Sequence, residues 1–148
     1  MADTMQFDLV SPERNLVSVP VREVRLPGSE GDLTAMPGHA PAIVNLRPGL
    51  VTLVTADGTQ IEFAVTGGFV EINGESVSLL AERGHPRAEM TQAIYNEMMT
   101  QAHRRVKVAK DRGAAGEEFV AAAVKLLGDM EALGTHIGLD PNSSSVPR

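Results

Sequence analysis

The chain has 148 residues and a mass of 15.7 kDa, the size of one domain or of one domain with an appendage. Its 43% hydrophobic and 22% charged residues are typical of a globular protein and exclude a disordered or fibrous one. A net charge of −6 argues against a protein that binds nucleic acid through its phosphates, and the absence of cysteine excludes disulfides, thiolate metal sites and cysteine nucleophiles.

The distribution of charge and apolar residues indicates two segments and a cytoplasmic location. Residues 1–84 carry the whole net charge, whereas acids and bases are balanced in residues 85–148. No apolar run approaches the roughly 20 residues that cross a bilayer. The first residues also lack the basic and then apolar pattern of a secretory signal. We therefore expect no direct insertion into a membrane.

The first segment has the alternating pattern of β-strands. Apolar and polar residues alternate in six stretches: Met5–Val10, Asn15–Val24, Leu50–Thr55, Thr59–Val65, Phe69–Ile72 and Ser76–Leu80. Asp57-Gly58 and Asn73-Gly74 are strong signals for tight hairpins between successive strands. Short strands at this spacing predict an antiparallel β-sandwich or barrel.

Between the second and third of these stretches lies a loop-rich region, residues 27–49. Its three Pro-Gly dipeptides predict three turns, because proline fixes φ and glycine accepts positive φ. Each dipeptide taken singly is more simply explained as a turn at a corner of the sandwich than as part of a docking surface. Together they predict a stiff rim that holds Glu30, Asp32 and His39, and we interpret this rim as a candidate docking surface.

The second segment changes to a helical period. From Pro86, apolar residues recur every four positions and predict one stripe, formed by Met90, Ile94, Met98, Ala102 and Val106. Asp111-Arg112-Gly113 is predicted to end this helix. A second stripe follows Gly116, with Gly134 as its C-terminal stop, and comprises Phe119, Ala122, Ala123, Leu126, Met130 and Leu133. Residues 85–136 therefore predict an antiparallel α-helical hairpin, and residues 137–148 a flexible tail.

Catalytic and cofactor motifs are missing from the sequence. The four histidines are scattered without metal-ligand spacing, and the glycines form no phosphate-binding loop. No Gly-x-Ser-x-Gly elbow presents a nucleophile. Glu117 and Glu118 are better explained as acids at the positive end of a helix dipole than as catalytic acids. We expect no catalytic site, no cofactor and no bound metal.

The first 84 residues resemble the epsilon subunit family of bacterial F-type ATP synthases, called delta in mitochondria. The resemblance is carried by Phe7–Glu13, by Gly28-Ser29-Glu30-Gly31-Asp32, by Met36–Pro41, by Leu46–Gly49 and by Thr66–Ile72 with Val77–Glu82. It implies a β-sandwich of about ten strands in residues 1–84, followed by a C-terminal helical hairpin. It also implies a non-catalytic rotor subunit at the cytoplasmic face of the bacterial inner membrane.

The same resemblance implies partners and site residues. The sandwich is expected to bind the gamma subunit and the polar loops of the c-ring. By position, Glu30, Gly31 and Asp32 are expected to face the ring loops, and His39 to lie near gamma and the ring. The hairpin of this family can extend along gamma and hinder ATP hydrolysis. Some members also bind ATP through an Ile/Leu-Asp-x-x-Arg-Ala motif. Residues 93–99 here lack its aspartate and arginine, so we predict no ATP binding.

The end of the first helix carries a run of basic residues: Arg104, Arg105, Lys107, Lys110 and Arg112. They favour a helix C-terminus through the dipole, and they are also candidates for an inhibitory contact with acidic surfaces of the catalytic alpha and beta subunits. The apolar stripes of the two helices fit a hairpin with one fixed conformation as well as a hairpin that switches between two conformations. Alternatives for the whole chain are a free-standing sandwich that binds a ligand or regulates another enzyme, and an enzyme as a third possibility.

Overall fold

A computed structural model describes residues 3–112 and 117–141. The chain falls into two compact units, one ending at Glu89 and the other beginning at Met90. In the first unit the described residues form nine strands, in agreement with the expected sandwich of about ten: β1 Met5–Val10, β2 Asn15–Gly28, β3 Gly31–Ala35, β4 Ala42–Leu46, β5 Gly49–Thr55, β6 Gln60–Val65, β7 Gly68–Ile72, β8 Ser76–Ala81 and β9 Gly84–Pro86.

The strands build a β-sandwich in which β2 belongs to both layers. The first half of β2 pairs with β1, in a layer that continues through β8 and β7 to β4. Its second half pairs with β3 and β5, and β5 continues to β6 and β9. All pairs are antiparallel except β1 with β8, which run parallel. The sandwich of the described residues is thus mostly antiparallel, as predicted, with one parallel pair.

Alternation along the strands places the core between the layers, as the sequence predicted. Phe7 and Leu9 of β1 are fully buried, and so are Val51 and Leu53 of β5. Polar residues between them point outwards, as on any sheet with one buried face.

Only one of the three Pro-Gly dipeptides makes the predicted turn. Gly38 has a φ of +86° in the turn before β4. By contrast, Gly28 ends β2 and Gly49 begins β5, and they serve close packing rather than positive φ. A Cβ on Gly49 would lie 2.7 Å from the Cβ of Pro27, and a Cβ on Gly28 would lie 2.4 Å from the Gly31 oxygen. These two glycines let neighbouring backbones approach.

The first long helix begins later than predicted. Gly84–Pro86 continues the sheet by pairing with β6, and a short 3-10 turn spans Arg87–Glu89. Helix α1 covers Gln92–Asp111, with Thr91 as its N-cap accepting a 3.2 Å hydrogen bond from the Ile94 N–H. Pro86 therefore lies in an edge strand, where a missing N–H is tolerated. Helix α2 covers Glu117–His136. Gly113, predicted to end the first helix, and Gly116, predicted to precede the second, lie outside the described residues.

The predicted apolar stripes are only partly correct. A four-residue spacing drifts by roughly 40° per step around a helix with 3.6 residues per turn. Consequently Met98 and Ala102 are buried, whereas Met90, Ile94 and Val106 are only half-buried. In α2, Phe119 was expected in the core but is 57% exposed. The most buried side chains between the helices include one the stripes omitted, Tyr95.

Gly134, predicted to end α2, lies inside that helix, and its contact with Tyr95 explains why a glycine stands there. The Tyr95 hydroxyl donates to the Met130 carbonyl at 2.8 Å, and its ring fills the space that a Cβ on Gly134 would need. The helix instead ends in a Schellman motif, with Gly138 at a φ of +80°. Gly138 N–H donates to Thr135 O and Leu139 N–H to Gly134 O.

Residues 137–140, expected to begin a flexible tail, are thus held in place. Besides the Schellman bonds, Gln92 exchanges two hydrogen bonds with the backbone of Asp140, at 2.8 and 2.9 Å. This pair ties the end of the hairpin to the start of α1. Residues 142–148 of the predicted tail lie outside the described residues.

Candidate functional site

Three predicted site residues lie together at the hairpin end between β2 and β3, which we call the β2–β3 tip (Gly28–Asp32). Gly28 pairs with Gly31, and Ser29 and Glu30 form the exposed turn between them. Gly31 has a φ of +141°, a conformation that side chains rarely adopt. The tip therefore presents the carboxylates of Glu30 and Asp32 on a tight turn.

The two carboxylates of the tip differ in their surroundings. Asp32 is 77% exposed but pairs with Arg47, whose Nη2 lies 2.5 Å from Asp32 Oδ1. Arg47 Nη1 also donates to the Gly28 carbonyl at 2.5 Å. Glu30 makes no hydrogen bond or ion pair with any described residue, and it is exposed. Asp32 is thus held by an arginine, while Glu30 extends into solvent.

His39 does not join the other three residues, so the predicted single rim is not formed. It lies in the turn Met36–His39, beyond the far end of β3, whose five residues span roughly 17 Å. Its backbone N–H donates to Met36 O, and its Nδ1 lies 2.6 Å from the Ala40 carbonyl. The turn is fixed to the β7–β8 turn by Gly38 N–H donating to Gly74 O at 2.9 Å. His39 therefore belongs to the opposite end of the sandwich.

An exposed apolar patch covers the outer face of the layer that contains β4, β7 and β8. Ile43 is 75% exposed, Phe69 43% and Leu80 46%. Phe69 pairs directly with Leu80, and Leu80 pairs with the half-buried Val10 of β1. Ile43 lies one diagonal step away, opposite Glu71. We call Ile43, Phe69 and Leu80 the outer apolar patch.

The outer apolar patch was missed by sequence analysis, although the sequence contains a signal for it. Since side chains alternate between the two faces of a sheet, two successive apolar residues place one of them outside. Ile43-Val44, Phe69-Val70 and Leu79-Leu80 are such pairs. In each pair the first or second member points outwards and its neighbour packs against the core.

The predicted basic contact residues on α1 are all exposed, but they line two separate grooves between the helices. Arg104, Arg105 and Arg112 border one groove with Phe119. Lys107 and Lys110 border another, next to His103. The Arg112 guanidinium lies 5.4 Å from the centroid of the Phe119 ring, within cation–π range. The basic residues therefore border both grooves, and Arg104 and Lys107 lie three positions apart as neighbours on the surface of α1.

Two titratable groups of the sandwich have shifted pKa values, and both lie outside the tip and the outer apolar patch. The Thr55 hydroxyl and the Thr59 backbone N–H hydrogen-bond the Asp57 carboxylate and lower its pKa to about 2. Burial lowers the pKa of His85, and the positive charges of Arg83 and Arg14 lower it further.

The described residues show no arrangement for metal binding. Within residues 3–112 and 117–141, no three histidine or acidic side chains converge on one point. Residues 93–99, where an ATP motif was considered, lie in the first two turns of α1 with Tyr95 fully buried. The absence of ATP binding remains a prediction. Neither described long helix is apolar enough over its length to cross a membrane.

Comparisons with known proteins match both segments of the chain. The family model described as ATP synthase, Delta/Epsilon chain, beta-sandwich domain covers residues 4–86. An ATP synthase epsilon chain of Paracoccus denitrificans (strain Pd 1222) is 82% identical over 99% of both chains. One from Rhodobacter capsulatus is 63% identical over 94% of this chain and 100% of its own.

Solved structures contain the same fold. A chain from a structure described as Euglena gracilis mitochondrial ATP synthase, OSCP/F1/c-ring in rotational state 1, superposes with a TM-score of 0.68. The superposition covers 93% of this chain and 83% of the other, at 17% sequence identity. At that identity the likeness establishes the fold alone.

Proposed function

Because this chain belongs to the ATP synthase epsilon chain family, we propose that it is a non-catalytic subunit of the central stalk. In this role it turns with the gamma subunit and the c-ring, and it couples ring rotation to catalysis performed by other subunits. The observation that carries the proposal is the outer apolar patch, an exposed apolar surface on the β-sandwich.

The outer apolar patch is assigned to gamma. Large apolar side chains that lie side by side on the surface of a sheet mark an interaction site, since single exposed ones are ordinary. Phe69 and Leu80 are direct cross-strand neighbours, and together with Ile43 they form the apolar centre of a typical interface. Glu71 and Asp8 flank this centre on the same face, so a partner with apolar and basic residues fits it best.

The β2–β3 tip is assigned to the polar loops of the c-ring. It projects two acids at one end of the sandwich, and a polar loop offers donors for them. His39, at the opposite end of β3, is assigned to the gamma side of the sandwich. With these contacts the protein lies at the cytoplasmic face of the bacterial inner membrane, as a peripheral part of the enzyme.

The helical hairpin is proposed as an inhibitory arm. When it extends, Arg104, Arg105 and Arg112 on one side, and Lys107 and Lys110 on the other, meet acidic surfaces of the alpha and beta subunits. Truncation after Glu89 tests this role. The cut preserves the ion pairs of Arg87 with Glu62 and of Glu89 with Arg14, which belong to the sandwich.

We expect the truncated enzyme to keep proton-coupled synthesis and to hydrolyse ATP faster than the intact enzyme. Unchanged hydrolysis would show that the hairpin does not inhibit. Loss of coupling, with the chain still bound, would show that the hairpin belongs to the coupling machinery instead.

Binding of the purified full chain to gamma tests the central assignment. Phe69→Ser and Leu80→Ser should each weaken binding at least roughly tenfold, because each removes apolar area from the centre of the interface. Thr52→Ser is the control, since Thr52 lies on β5 in the other layer of the sandwich, outside the outer apolar patch. Equal binding by all three variants would refute the assignment of the outer apolar patch.

A further inference from the structure

Arg47 lies between β4 and β5 and reaches the β2–β3 tip with both nitrogens of its guanidinium fork. Nη1 donates to the Gly28 carbonyl and Nη2 to Asp32 Oδ1. The backbone N–H of Arg47 donates to the Pro27 carbonyl at 3.0 Å. Its side chain is 29% exposed, so much of the fork lies under the surface. One residue thus ties two points of the tip, and Pro27 immediately before it, to the neighbouring turn.

The tip has few other contacts that fix its shape. Ser29 N–H donates to the Asn45 carbonyl at 2.8 Å, and Gly28 and Gly31 pair as the last residues of their strands. A Cβ on Gly31 would meet nothing within 4 Å, so no packing holds that side of the turn. Charge-assisted, two-pronged arginine bonds fix orientation better than neutral single ones.

We propose that Arg47 is a positioning residue for the contact between the tip and the c-ring. The fork holds the tip in the shape that presents the Glu30 and Asp32 carboxylates to donors on a polar ring loop. Arg47 itself contacts the tip and does not contact the ring. This inference rests on the proposed function, because it takes the ring loop as the partner.

Two substitutions that change the net charge of the tip in opposite directions distinguish a positioning role from simple electrostatic attraction. Arg47→Gln makes the tip more negative, and Asp32→Asn makes it less negative. If the tip bound a basic loop only by its net charge, the first variant would strengthen binding and the second would weaken it. Both variants break the same contact. Positioning therefore predicts that both loosen the tip and both weaken binding.

The experiment measures two quantities for each full-length variant. Hydrogen exchange of the Ser29 amide in the isolated chain reports the order of the tip, with the Thr55 amide of the distant β5–β6 turn as internal reference. Affinity for detergent-solubilised rotor particles of gamma and c-ring reports the contact. Arg25→Gln is the matched control, since it removes the same charge from an exposed pair with Glu23 on β2.

We expect Arg47→Gln and Asp32→Asn each to speed Ser29 exchange and to weaken binding several-fold, because both leave the tip less well ordered. Arg47→Lys should be intermediate, because one ammonium cannot replace the fork. Arg25→Gln should change neither quantity.

The positioning role is overturned if Arg47→Gln binds as well as the wild type, with or without a looser tip. It is also overturned if binding weakens while Ser29 exchange stays unchanged, since Arg47 would then contact the partner directly. If the wild-type chain does not bind the rotor particles at all, the proposed function fails instead. The exchange data would still decide whether Arg47 orders the tip.

Discussion

Replacing Gly134 with alanine should destabilise the helical hairpin, although alanine is the better helix former. A Cβ at this position would lie 2.1 Å from both Cζ and the hydroxyl oxygen of Tyr95. Tyr95 is fully buried and its hydroxyl is bonded to Met130 O, so the ring has no free space to occupy. The substitution must therefore displace the ring or push α2 away from α1.

The size of the effect follows from two opposing contributions. Alanine in a helix interior is favoured over glycine by about 1 kcal/mol. Overpacking of a filled site costs about 1–3 kcal/mol, and loss of the Tyr95 hydroxyl bond costs about 1 kcal/mol more. Overpacking and the lost bond outweigh propensity, so the hairpin should lose about 1–3 kcal/mol of unfolding free energy.

Gly128→Ala is the matched control within the same helix. A Cβ on Gly128 would have no atom within 4 Å, so only the gain in helix propensity remains. Urea unfolding of the full chain, followed by helical circular dichroism and by hydrogen exchange of α1 and α2, should show opposite shifts for the two variants. If Gly134→Ala stabilised the hairpin as Gly128→Ala does, the close packing of Tyr95 on Gly134 would be disproved.

Three more predictions concern His103, Asp57 and the start of α1. His103→Leu should stabilise the hairpin by about 1 kcal/mol in urea unfolding, because the buried Nε2 has no hydrogen-bond partner within the described residues; a loss would contradict this. The pKa of Asp57 is lowered from 3.8 to about 2, so the stabilisation of the fold by this carboxylate is present above pH 3.8 and is lost as the pH falls towards 2. Asp57→Asn should thus make the unfolding free energy less dependent on pH below pH 3.8, and an unchanged pH dependence would contradict this role of Asp57. Titration calorimetry of the full chain with ATP at physiological concentrations should show no saturable binding, since residues 93–99 lack the required aspartate and arginine.

Six of the nine strands in the described residues were predictable, because alternation and hairpin signals are local; β3 and β4 lie in the region predicted to be loop-rich, and β9 lies where the first helix was predicted to begin. The Asp57-Gly58 turn forms as expected, with Gly58 at a φ of +86°. The Asn73-Gly74 hairpin also forms where predicted, but through the Asn73 side chain, which accepts from the Glu75 and Ser76 N–H groups. The parallel pairing of β1 with β8 was not predictable, because alternation decides which face is buried and not which strand is the neighbour.

The candidate site was predictable only where it depends on sequence neighbours. Glu30, Gly31 and Asp32 are adjacent in the chain and lie together in the structure. His39 is separated from them by the length of β3, a distance that Pro-Gly spacing does not reveal. The Arg47 guanidinium contacts Asp32 and Gly28, which lie 15 and 19 positions before it in the chain, and these contacts depend on the close approach of two turns. Such contacts come from the packed fold rather than from local propensity.

Rotation of the protein within the working enzyme tests the central claim most directly. The sequence has no cysteine, so Ala56→Cys in the exposed β5–β6 turn gives a single attachment point for a bead or fluorophore. With the alpha and beta subunits immobilised and ATP supplied, we predict that the label rotates together with gamma. A label that stays bound to the enzyme but remains stationary while gamma rotates would contradict the assignment of this protein to the rotor.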